Sequence, residues 1–198
     1  MKRNTRTDSG FTIIELLVAI AIAALVMAGL WRTFSFQQQS YNLQRQVVAM
    51  EQNLRAGMQF MESEIRMAGF DPSDAANAGI VNPGTDTIHF TTDLNFDGDV
   101  VDTDEDVTYK LYTATDGIQK LGREILTLGG TTTQAVAEYI DNLAFAYLDG
   151  NSVVMASPSS NPTAIRAVRI TLRARTVSTS PIRYGELTTL IRSRNLGL

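Results

Sequence analysis

Residues 11–31, "FTIIELLVAIAIAALVMAGLW", are almost wholly apolar and hold one charge, Glu15. As a helix this run spans about 31 Å, close to one hydrocarbon core. Beyond Trp31 the pattern turns amphipathic. Leu43, Val47, Met50, Leu54, Met58, Met61, Ile65 and Ala68 recur at steps of three and four, with Gln, Arg and Glu between them. That spacing marks one helical face. No proline precedes Pro72, and Gly69 suits a position just past a helix end. The pattern predicts a helix over about residues 10–68, roughly 85–90 Å if unbroken. Its methionine-rich stripe reads as a core seam under a sheet rather than as an adaptable binding groove.

From residue 80 the period changes to two. "DTIHFTT" (86–92), "VTYKLYTA" (107–114), "REILTL" (123–128), "LAFAYLD" (143–149), "SVVMA" (152–156) and "ELTTLIRS" (186–193) read as strands, rich in β-branched and aromatic residues. In "AIRAVRITLRART" (164–176), Val168, Ile170 and Leu172 face one way and Arg169, Thr171 and Arg173 the other. Asp116-Gly117 and Gly129-Gly130 mark turns. Residues 134–141 read as a short helix or loop, and 157–163 as loop. The class is α+β: a long N-terminal helix packed on a mainly antiparallel sheet. The divisions are a leader, 1–10; a helix, 11–69, with 11–31 transmembrane; and a β-rich domain, 70–198, outside the cytoplasm.

Composition narrows the function. The 198 residues carry a net charge of −4 and no cysteine. The balance argues against nucleic acid as a partner, because phosphate contacts need clustered Lys and Arg. Without cysteine, an extracytoplasmic domain relies on packing or a metal. Seven acids and no base lie in residues 93–106; without them the charge would change from −4 to +3.

The junction at residue 10 carries the first candidate chemistry. Lys2, Arg3 and Arg6 flank the apolar run and place its N-terminal side in the cytoplasm. A secretory signal peptide would be cut near small residues such as Ala23, and a plain signal anchor would not be cut. Both leave Glu15 unexplained, since a carboxylate at the centre of a bilayer costs about 2.5–3.5 kcal/mol. The third reading takes Gly10, Phe11 and Glu15 together. "G-FTIIELLVAI" closely resembles the prepilin signature of type IV pilins and of type II secretion pseudopilins: a basic leader, Gly, then Phe-Thr-Leu-[Ile/Val]-Glu-Leu.

The resemblance implies that a prepilin peptidase cuts after Gly10 and methylates Phe11. It also implies that Glu15 meets the N-terminal amine of a neighbouring subunit during assembly. Opposite charges attract strongly in an apolar layer, whereas each alone is costly there. "IRMAGFDP" (65–72) and "RSRNL" (192–196) resemble passages of PilW-type minor pilins and overlap with J-type minor pseudopilins. The implied partners are other minor and major pilins, the peptidase and the pilus assembly platform. The implied location is the bacterial inner membrane and then a surface filament. A minor pseudopilin of a secretion filament remains an alternative, as does a secreted calcium-dependent adhesive module cut near Ala23.

Residues 93–104, "DLNFDGDVVDTD", match an EF-hand-type loop. Asp93, Asn95 and Asp97 take positions 1, 3 and 5, Gly98 position 6, the Asp99 carbonyl position 7 and Asp104 position 12. These residues are expected to hold Ca²⁺, in a hairpin rather than between helices. Asp at position 12 resembles dockerin-type loops. The sequence carries no catalytic constellation: the one histidine, His89, falls inside an expected strand, and no phosphate loop or nucleophile elbow occurs. Glu62 and Glu64 read as a solvated helix face.

Overall fold

The apolar and amphipathic stretches form one continuous helix, α1, Ile13–Ile65. The computed structural model describes residues 10–127, 129–177 and 181–196. The leader before Gly10, the last residue of the strand expected over 123–128 and the last two residues of the chain lie outside these.

The chain divides into two units, Met1–Arg45 and Gln46–Leu198. In the first, every side chain from Phe11 to Phe34 is exposed, and the helix is long and apolar enough to cross a membrane. In the second, the end of α1 buries Met50, Leu54, Gly57, Met58, Met61 and Ile65. The methionine stripe is thus a core seam. Gly57 sets the closeness of packing: a Cβ there would stand 2.9 Å from the Ala137 Cβ.

The helix ends three residues earlier than the apolar spacing predicts. Its last turn tightens: Met67 N–H donates to the Glu64 carbonyl at 2.9 Å and Ala68 N–H to Ile65 at 3.2 Å. Such tightening is the usual fate of orphan carbonyls. Gly69 then takes φ +77°, and its N–H donates to the Thr91 carbonyl at 3.0 Å.

Among the described residues eight strands follow. β1 (Ile80–Pro83), β2 (Ile88–Thr91), β3 (Asp106–Thr113), β4 (Gln119–Thr127) and β5 (Gly130–Glu138) form one sheet in that order. β6 (Ile140–Leu148), β7 (Ala167–Arg175) and β8 (Tyr184–Arg192) form a second. Every pairing is antiparallel. The β3–β4 turn is closed by Ile118 N–H on the Asp116 carboxylate at 2.9 Å, with Gly117 at φ +74°. Tyr139, at φ +55°, is the single residue between β5 and β6, so the chain passes from one sheet to the other without a loop.

Three readings need correction. Residues 134–141, expected as a short helix or loop, are strand apart from Tyr139: 134–138 end β5 and 140–141 open β6; β5 is an edge strand, exposed over most of its length, so no apolar alternation announces it. "SVVMA" is no strand and makes a single bridge, Val154 to Leu148. β1 was not foreseen; it has four residues, ends on a proline and also lies at an edge.

One core joins the two sheets to the helix. Ile88, Phe90, Tyr109 and Leu121 from the first sheet meet Phe145, Tyr147, Ile170 and Leu172 from the second. The Tyr147 hydroxyl donates to the Gly84 carbonyl at 2.9 Å, at the turn between β1 and β2. The C-terminal passage docks on the helix end: Ser193 Oγ donates to the Ala68 carbonyl at 2.8 Å and Asn195 Nδ2 to Met67 at 3.2 Å.

Candidate functional sites: the helix start and the acidic loop

The Gly10–Phe11 peptide lies in exposed, non-helical backbone just before α1, with Phe11 93 % exposed and open space at Gly10. Thr12 is the N-cap. Its carbonyl accepts the Leu16 N–H at 3.2 Å, and its Oγ1 accepts the Glu15 N–H at 3.3 Å. Glu15 reaches back: Oε2 accepts from both the Thr12 N–H and the Thr12 hydroxyl at 2.9 Å. Thr12 and Glu15 thus form a reciprocal capping box. The signal for it, Thr-x-x-Glu ahead of an apolar run, stands in the sequence and was not read. Part of the reason this chain keeps a carboxylate at the edge of an apolar helix is therefore local: it satisfies donors that no helical turn can reach.

The acidic segment lies in the hairpin between β2 and β3. Asp93 is buried and organises it: Oδ1 accepts from Phe96 N–H at 2.6 Å and Oδ2 from Gly98 N–H at 3.2 Å. Its own N–H donates to the Phe70 carbonyl at 2.7 Å, tying the loop to the chain just past the helix end. Gly98 adopts φ +85°, which the sharp turn requires. Asn95 Oδ1 accepts from Asp97 N–H at 3.0 Å, and its Nδ2 donates to Asp97 at 2.9 Å and to Asp102 at 2.7 Å. The Asp97 carboxyl is held below its usual range, first by the Asn95 amide and then by the Asp99 N–H.

One oxygen each from Asp97, Asp99, Asp102 and Glu105 lies within 4.8 Å of the others. Asp104, the expected position 12, points its carboxylate elsewhere: Oδ1 pairs with Arg123 at 2.7 Å. Glu105, the next residue, supplies the late carboxylate instead, with Oε1 accepting from Leu94 and Asn95 N–H at 2.9 and 3.2 Å. Asp104 itself takes φ +70°, and the two neighbours are bonded to different parts of the molecule. The EF-hand spacing passes over Glu105, which only the fold brings to the other acids.

Glu64 needs the same revision. It is not a solvated acid: Arg123 pairs with it at 2.9 Å, and the Tyr109 hydroxyl donates to it at 2.5 Å. Arg123, 6 % exposed in its side chain, therefore joins α1 to the loop through Glu64 and Asp104. Glu62 pairs with Arg66 at 2.6 Å. His89 sits on β2 with Nε2 2.9 Å from Asp106 Oδ1, a contact along the sheet.

Residues 5–31 match the family model described as the prokaryotic N-terminal methylation motif. No curated protein matches the chain. The motif is that of pilin-like prepilins, and it points to a structural subunit of the type IV pilin or pseudopilin kind.

Proposed function

We propose that this protein is a minor pilin that takes part in priming or capping a type IV pilus. It waits in the inner membrane with its β-rich domain on the far side. It is cut after Gly10, methylated at Phe11, and passes into the filament alongside other pilins.

The observation that carries this reading is the methylation motif at residues 5–31, set on the apolar first half of α1, exposed from Phe11 to Phe34. An exposed apolar helix requires lipid or other apolar helices around it, and a filament subunit meets both in turn. The Gly10–Phe11 bond precedes the helix cap, where a peptidase can reach it without unwinding α1. Cutting there would create an α-ammonium in the apolar layer, the charge that Glu15 of a neighbouring copy or pilin would pair with. The two passages that resemble PilW-type minor pilins support the finer assignment by lying together, Ser193 and Asn195 on Ala68 and Met67.

The test is co-expression of the full chain with a prepilin peptidase, followed by intact mass and N-terminal sequencing. Loss of residues 1–10 with a methylated Phe11 is expected. An uncut chain, or a cut near Ala23, would overturn the proposal.

A further inference from the structure

Three of the seven acids of the 93–106 segment are engaged away from the others. Asp93 caps backbone N–H groups, Asp104 pairs with Arg123 and Asp106 contacts His89. Asp97, Asp99, Asp102 and Glu105 instead gather at one point. Exposed acidic clusters are ordinary, and alone this one would say little. Glu105 makes the difference. It is 1 % exposed, and its Oε2 is a buried oxygen without a hydrogen-bond partner. A buried acceptor with no donor is costly, and more so on a carboxylate facing three others. Such a group calls for a positive charge.

We infer that Asp97, Asp99, Asp102 and Glu105 form a site for a hard divalent cation, Ca²⁺ in preference to Mg²⁺, with Glu105 as the buried anchoring ligand. The donor set is all oxygen, the class that both ions take. Size then separates them. Opposed ligands stand about 4.6–5.2 Å apart across Ca²⁺ but only about 4.0–4.2 Å across Mg²⁺. The four carboxylate oxygens lie within 4.8 Å of one another, a span that admits Ca²⁺, and four protein carboxylates suit Ca²⁺ better than Mg²⁺, which usually keeps several waters and takes one or two carboxylates. The Asn95 amide already bridges two of them, with Nδ2 on Asp97 and Asp102.

This set departs from the EF-hand register: Asp93 caps backbone N–H groups and lies outside it, Asp102 joins it, and the late carboxylate is Glu105 rather than Asp104. Asp104 serves Arg123, and Glu105 faces the ion. Glu105 also accepts the Thr92 N–H at its carbonyl, 2.9 Å, so the ion closes the hairpin at its neck. The inference is independent of the filament reading, which concerns the other end of the chain.

The test is Ca²⁺ titration of the chelator-treated full chain in detergent micelles by calorimetry, repeated with Mg²⁺. One saturable Ca²⁺ is expected, with Mg²⁺ weaker by about tenfold or more. Glu105→Gln and Asp102→Asn should each weaken Ca²⁺ by roughly tenfold or more, while Asp104→Asn stays within about threefold. Because Glu105→Gln alters a buried side chain, circular dichroism checks its fold, and the exposed Asp102→Asn decides if it fails. No saturable Ca²⁺ binding up to about 1 mM, the weak end of known sites, would overturn the site. Loss on Asp104→Asn equal to that on Glu105→Gln would overturn the ligand assignment.

Discussion

Arg123 on β4 and Glu64 on α1 face each other through two hydrogen bonds, Nη2 to Oε1 at 2.9 Å and Nε to Oε2 at 3.0 Å. This side-on pairing is the strong geometry for guanidinium and carboxylate. The Tyr109 hydroxyl completes Oε2, and the remaining Arg123 nitrogen takes Asp104. Replacing Arg123 by Met strands Glu64 at a half-buried position. Breaking a fully buried pair costs about 3–5 kcal/mol; with Glu64 24 % exposed we expect about 2–4 kcal/mol. Glu64→Gln, which still accepts from Tyr109, should cost less. Urea unfolding of the full chain in micelles checks both. A loss under about 0.5 kcal/mol for Arg123→Met would show that solvent already screens the pair.

Gly57 and Ala137 make a second prediction. A side chain at 57 meets the Ala137 Cβ at 2.9 Å, with Leu121 and Leu172 behind it. Ala favours a helix over Gly by about 1 kcal/mol, yet overpacking costs about 1–3 kcal/mol, so Gly57→Ala should be neutral to destabilising. Gly57→Val gains less propensity and adds more volume, and should lower stability by more. Ala137→Gly in the Gly57→Val background should restore part of it. Additive melting temperatures in the double variant would contradict direct contact as the cause.

Alkaline pH should destabilise the β-rich domain. Burial, and then the Glu64 carboxylate, raise the Tyr109 phenol well above its usual range; burial and Asp86 do the same for Tyr147. An unfolded phenol ionises near about pH 10. Above that the unfolded chain releases protons that the folded one retains. The stabilising contribution is therefore whole below about pH 10 and falls as pH rises, by up to about 1.4 kcal/mol per pH unit for each group. Tyrosinate absorbance from these two residues should appear only together with loss of the β-sheet signal, and Tyr109→Phe should flatten the pH dependence. Full tyrosinate absorbance over an intact fold at about pH 11 would contradict it.

Glu15 has two separable jobs under our reading, capping α1 and pairing with a neighbouring amine. Gln keeps an oxygen for the Thr12 N–H and loses the charge. Glu15→Gln should thus be cut and methylated like the parent yet enter filaments poorly, scored by immunoblot of sheared filaments. Glu15→Ala should lose both cap and incorporation. Normal incorporation of Glu15→Gln would mean that the carboxylate serves the helix alone.

Much of this was legible from residue order because the signals are local. The apolar run from Phe11, the three-and-four spacing from Leu43 to Ala68 and the alternation of Val168, Ile170 and Leu172 each reflect one element burying one face. The turn glycines Gly98 and Gly117 were legible for the same reason. β5 was hidden because an edge strand with most of its surface in water needs no apolar alternation. β1 was too short to show a period.

By itself the sequence determined the helix, its membrane-length apolar half, the prepilin junction and the acidity of the hairpin, since each rests on contiguous residues. Only the tertiary structure decided which acids have partners. Glu64 meets Arg123 across 59 positions, and Asp104 is drawn to the same arginine, while Glu105 turns into the loop. Charge pairing depends on distance through space, and sequence spacing carries that information only within a turn or two of one element.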